Sequence, residues 1–156
     1  MNKTLNKIVL ECILTVCIIF VPFILANYFI TVHAESHSDI TGSIINIVLN
    51  IIQLITIIAS GLVIGNRNKS FIVENKYSAK KYLIVSLIGI AAIVLMIFSG
   101  IYTDLYYTTA ELLNVFDKAP LLVICWEQLM NGKFLFELLL CIALCFVHRY
   151  GKKQEN

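Results

Sequence analysis

Apolar residues arrive along this chain in long runs, with neither the two-residue alternation of a half-buried strand nor the narrow stripe of a helix on a soluble domain. Three runs, 8–32, 44–64 and 82–103, each supply the roughly 20 residues that a helix needs to cross a hydrocarbon layer of about 30 Å. A fourth, 133–150, has a shorter apolar heart at 134–148 and reaches the interface through Arg149 and Tyr150, whose polar ends extend beyond their apolar stems. Two prolines and seven glycines in 156 residues leave these runs little interrupted. The pattern predicts an all-α, integral-membrane four-helix bundle in which 1–156 form one membrane domain. Pro22 predicts a kink in the first span, and Asn27 adds a polar group to it.

Between the third and fourth runs the pattern changes. Thr108-Thr109-Ala110-Glu111 has the form of a capping box opening a short helix through Asp117, which Pro120 ends. The apolar stretch 121–130, with Trp126 and Glu127, is too short to span. It predicts an external interfacial or re-entrant helical segment before the last span, with the indole at headgroup level. Asn131-Gly132 predicts a turn into that span.

Charge orients the bundle. Lys3 and Lys7, then Arg67, Lys69, Lys76, Lys80 and Lys81, then Arg149, Lys152 and Lys153 make ten of the twelve basic residues. They fall in the N-terminal tail, the segment after the second run and the C-terminal tail. The two remaining segments hold Lys118 and Lys133 with Glu35, Asp39, Asp104, Glu111, Asp117 and Glu127. Cytoplasmic segments carry the excess Lys and Arg, so the expected topology is N-in and C-in. The basic segment 65–81 sets that topology as a solvated loop, or meets anionic lipid or a protein partner through Arg67, Lys69, Lys76, Lys80 and Lys81.

Composition agrees with a multi-pass protein of the bacterial cytoplasmic membrane. Hydrophobic residues make up 59% of the chain and charged residues 14%, against about 45–50% and 25% in soluble domains. The first run has a basic start and ends on Val32-His33-Ala34, the form of a cleavage site, but it is longer than a signal peptide's apolar region and carries Glu11. It is therefore expected to be retained. Of the five cysteines, Cys12, Cys17, Cys141 and Cys145 lie inside the spans and Cys125 in an apolar stretch. They read as small buried apolar residues and not as a disulfide framework.

Polar residues inside the spans carry the most information, because such groups in hydrocarbon face a bundle interior or a watery path. In the second span Asn46, Asn50, Gln53, Thr56 and Ser60 are spaced four, three, three and four apart and fall within an arc of roughly 120°. This stripe either joins helices by hydrogen bonds or lines a hydrated path. Glu11 and His148 lie at similar depth near the cytoplasmic face, where a carboxylate–imidazole pair is geometrically feasible. Glu137 lies one turn into the fourth span from outside, on the helical face of Cys141 and His148, where it either lines the external mouth or reaches the surface as a carboxylate. Ser86, Gly89, Ala92 and Gly100 in the third span read as residues that let helices approach closely.

Catalysis is not expected. The chain has no phosphate-binding glycine loop, HExxH or nucleophile elbow. Glu11 and Glu137 lie near opposite faces and cannot share a site. His33 and His37 with Glu35 and Asp39 read as a polar loop, so neither a metal nor a cofactor is expected, nor direct nucleic-acid binding.

The passage leaving the second span, Ile64-Gly65-Asn66-Arg67 followed by a basic stretch to Glu74 and Tyr77, together with the length and topology, resembles the RexB family of four-span phage-exclusion proteins. The resemblance implies an oligomeric, membrane-depolarising ion channel that aborts phage infection and is switched on by a cytoplasmic sensor protein. The long external segment is larger than that plan calls for. Two rivals stand beside it: an immunity protein that binds a pore-forming bacteriocin within the bilayer, and an accessory subunit of a transporter or sensor.

Overall fold

The computed structural model describes residues 3–34, 39–101 and 132–147. Among these the chain forms helices α1 (Lys3–Ala34), α2 (Asp39–Arg67), α3 (Lys69–Glu74), α4 (Lys76–Phe98) and α5 (Lys133–Val147), and no strand. Three of them, at Thr4–Ile30, Ile44–Arg67 and Lys76–Phe98, are long and apolar enough to cross a membrane. The chain is a helical membrane protein. Its outward faces agree: Ile18, Ile55, Ile88, Leu95 and Phe98 are among many large apolar residues left exposed, an apolar coat far beyond what a soluble monomer carries.

The helices are longer than the apolar runs in places and shorter in others. α1 continues through Pro22 to Ala34, and α2 begins at Asp39, so His33 belongs to a helix. The basic segment expected as a loop is helical: α2 runs on to Arg67, and α3 and α4 follow with single-residue turns at Asn68 and Asn75. The backbone N–H groups of Asn68 and Asn75 still donate to Ile64 and Phe71 four residues back, so few hydrogen bonds are lost at either turn. α4 ends at Phe98, although the apolar run continues to Thr103. Gly100 takes φ +78° with open space around it, and Ser99 N–H closes on Leu95 O at 2.8 Å, a glycine-terminated helix end. Gly100 therefore ends a helix, nothing among the described residues lies within 4 Å of where its Cβ would stand, and Ala92 faces outward. The expected capping box, the interfacial segment with Trp126, Cys125, His37 and His148 lie outside the described residues.

α5 is short, 15 residues or about 22 Å, yet it is the centre of the bundle, packing on α4, α2 and α1. Its direction follows from what it touches. Residues 53, 61 and 65 of α2 meet 137, 141 and 145 of α5, so these two helices run parallel. Phe20 meets Phe134 and Tyr82 meets Phe146, so α1 and α4 run the opposite way. The core is a line of i, i+3 and i+4 positions on α1 (Leu5, Ile8, Cys12, Val16, Phe20) against Ile57 and Ile64 of α2 and Cys141, Ile142, Cys145 and Phe146 of α5. In a bilayer such contacts are driven by packing rather than by escape from water.

Candidate functional site: a polar cluster between α2 and α5

The site is built where the polar stripe of α2 meets the first turn of α5. Gln53 is 1% exposed and Glu137 3% exposed, the two deepest polar side chains of the pair. The Gln53 amide bridges opposite charges. Its Nε2 donates to Glu137 Oε2 at 3.0 Å, and its Oε1 accepts from Lys133 Nζ at 2.7 Å. Lys133 and Glu137 stand one turn apart on α5, so their charges lie on one face of that helix. Lys133 Nζ also donates to Asn50 Oδ1 and stands 5.9 Å from the centre of the Phe20 ring. Asn50 Nδ2 in turn donates to the backbone O and the Oδ1 of Asn46, both at 2.8 Å. A chain of polar contacts thus runs Asn46–Asn50–Lys133–Gln53–Glu137, from an exposed asparagine to a buried carboxylate.

Burial makes this arrangement consequential. An ionisable side chain away from water costs several kcal/mol unless it is hydrogen-bonded and its charge is answered. Here one carboxylate and one ammonium are tied through a shared amide. Gly132, with φ +73°, leads directly into Lys133, and Phe136 N–H donates to Gly132 O at 2.9 Å, which fixes where α5 starts and hence the height of Lys133.

Not every residue of the stripe joins the cluster. Thr56 and Ser60 donate their hydroxyls to Ile52 O and Thr56 O, each at 2.8 Å, and so are satisfied by their own helix. Beyond Gln53 the interface turns apolar and tight. A Cβ on Gly61 would lie 2.7 Å from Cys141 O, and one on Gly65 2.3 Å from Cys145 O. α2 therefore lies directly on the backbone of α5 over the turns that follow Glu137. Cys12, Cys141 and Cys145 are fully buried there.

The opposite end of the bundle holds the remaining described candidates. Glu11 pairs with Arg67 and accepts from Asn68 Nδ2 at 3.4 Å, so its described partners belong to α2 and the turn after it. Tyr82 donates its hydroxyl to Asn6 Oδ1 while its ring stacks on Phe146 at 5.6 Å. Lys69, Lys76, Lys80 and Lys81 are exposed at this same end, with Lys81 4.8 Å from the centre of the Tyr77 ring. Arg67 differs from them in having its guanidinium turned to Glu11.

Two features escaped the reading of the sequence. Lys133 stands at the first position of its run and reads there as a charge of the preceding external segment, although it is the cation of the cluster. Gly61-Leu62-Val63-Ile64-Gly65 is a G-x-x-x-G pattern, the signal for close helix approach, and it marks the α2–α5 contact more directly than the small residues of α4 do. Comparison with known protein families, curated proteins and solved structures finds no match to this chain.

Proposed function

We propose that the chain is a four-span protein of the bacterial cytoplasmic membrane, with both ends in the cytoplasm, that assembles into a homo-oligomer and lets ions cross. The observation that carries this reading is the Lys133–Gln53–Glu137 cluster, because ionisable groups inside a membrane bundle mark paths for ions or protons. The topology is supported by the parallel course of α2 and α5 and by the gathering of Lys69, Lys76, Lys80 and Lys81 at one end. Asn46 and Asn50 form the entrance, and Glu137 is the acidic group behind it. The tight glycine contacts below Glu137 leave no room for the path to continue between α2 and α5, so the cluster serves as the entrance and the rest of the path lies between copies. On the RexB-like plan this conduction depolarises the membrane in phage exclusion, and the exposed lysines meet the cytoplasmic sensor protein.

Producing the chain in cells loaded with a potential-sensitive dye tests the reading. Depolarisation with arrested growth is the expected result; unchanged potential at verified membrane levels would refute it. The glycine seal also favours a second reading, a protein that binds a bacteriocin within the bilayer and conducts nothing. Harmlessness alone together with protection against one pore-forming toxin would select it.

A further inference from the structure

The short helix α3 sits where headgroups are. Residues 68–75 alone separate the membrane-crossing helices Ile44–Arg67 and Lys76–Phe98, and α3 is six residues, roughly 9 Å, between single-residue turns. Such a link is too short to stand away from the membrane. Ile72 is buried in the core cluster with Leu5 and Ile8, and α3 packs on α1, so it lies down on the end of the bundle. Phe71, Val73 and Tyr77 remain exposed beside it. Residues 67–81 hold five basic side chains, Arg67, Lys69, Lys76, Lys80 and Lys81, against one acid, Glu74. An open groove of about 470 Å³ at the corner of α2 and α3 is lined by Arg67, Lys69, Ser70, Val73 and Glu74. Arg67 already answers Glu11, which leaves Lys69 as the groove's outward cation.

We propose that this corner is a binding site for an anionic phospholipid, with the phosphodiester against Lys69 and Ser70 in the groove and further headgroups held by Lys76, Lys80 and Lys81. Charge complementarity selects an anion. Exposed apolar and aromatic side chains among the lysines select a lipid over a soluble acidic partner, because basic and apolar groups together on a surface at the end of a span suit the boundary between headgroups and acyl chains. Val73 offers the apolar wall that the start of an acyl chain needs. The Tyr77 ring, with Lys81 4.8 Å from its centre, is the amphipathic body found at that depth. A cytoplasmic protein that engages the same lysines competes with lipid for them. The site stands whether or not the protein conducts.

The test places one fluorescent reporter at the corner and asks which lipid lies beside it. Trp126→Phe removes the single native tryptophan, and Phe71→Trp puts an indole on α3. The purified full chain is reconstituted in phosphatidylcholine vesicles in which a quarter of the lipid is brominated near the headgroup end of its chains, as phosphatidylglycerol or as phosphatidylcholine. Quenching should show a preference for phosphatidylglycerol of about fivefold or more, the effect of one well-placed surface lysine. Lys69→Gln with Lys80→Gln should bring it below about twofold. Raising sodium chloride from about 0.1 to about 1 M, which shortens the screening length from about 10 to about 3 Å, should lower it in the chain with all its lysines. A Phe98→Trp reporter at the far end of α4 should show no preference. Equal quenching by the two lipids at α3, the result expected if the lysines serve only a soluble partner, overturns the proposal. So does an equal preference at the Phe98→Trp reporter, or a preference that neither salt nor the lysine substitutions reduce. The salt arm needs no lysine variant to fold. No ion flux is read, so a chain that never depolarises a membrane would remove the proposed function and leave this site standing.

Discussion

Gln53 on α2 and Glu137 on α5, 84 residues apart in sequence, are joined by a 3.0 Å hydrogen bond inside the bundle. The bond fixes more than the distance between two helices. Because the carboxylate takes the amide N–H, the amide oxygen must face the other way, toward Lys133. One glutamine thereby settles the placement of a buried anion and of the cation beside it.

Removing that glutamine should be costly. Gln53→Leu deprives Glu137 and Lys133 of a partner each while leaving both in place. A loss of about 1–3 kcal/mol is expected, read from unfolding in mixed micelles. A double-mutant cycle with Glu137→Leu should return a coupling of about 0.6–2 kcal/mol, the range for hydrogen bonds between membrane helices. A coupling indistinguishable from zero would mean that the two side chains do not act together.

The glycines should rank by what an added methyl group meets. Gly65→Ala drives Cβ to 2.3 Å from a backbone oxygen and Gly61→Ala to 2.7 Å from another, whereas Gly89→Ala meets only the flexible end of Leu139. Gly65→Ala and Gly61→Ala should each cost about 1–3 kcal/mol, with Gly65 the worse, and Gly89→Ala well under 1 kcal/mol. If Gly89→Ala proved the most damaging, the close α2–α5 approach described here would be wrong.

The Glu11–Arg67 pair should matter little for stability. The Arg67 side chain is 66% exposed and that of Glu11 29% exposed, so water and salt screen most of their attraction. Arg67→Ala should cost under about 1 kcal/mol in low salt and less in high salt. A loss above about 2 kcal/mol would show that the pair is drier in the membrane than its exposure indicates.

How far the sequence revealed this arrangement depends on the residue. The stripe from Asn46 to Ser60 was legible because a 3.6-residue period places it on one face. Which of its members work together was not, since Thr56 and Ser60 turn to their own backbone while Gln53 turns to another helix. Lys133 was hidden by its neighbours. A lysine before an apolar run reads as a loop charge, and only the parallel docking of α5 on α2 draws it into the cluster. The helices of 65–81 were missed because hydrophobic runs report burial in lipid, and charged residues such as Lys69, Glu74 and Lys76 form helices as readily outside it. The end of α4 was misplaced for the opposite reason: the apolar run continues to Thr103, but the helix stops at Gly100.

The conduction proposed for this protein has its entrance at the cluster of α2 and α5. The most direct measurement is ion flux through purified protein in lipid vesicles, comparing wild type with Asn50→Leu, Gln53→Leu in one chain after confirming equal insertion. Flux is expected for the wild type, and its loss for the double variant. Equal flux from a stably inserted double variant would contradict it.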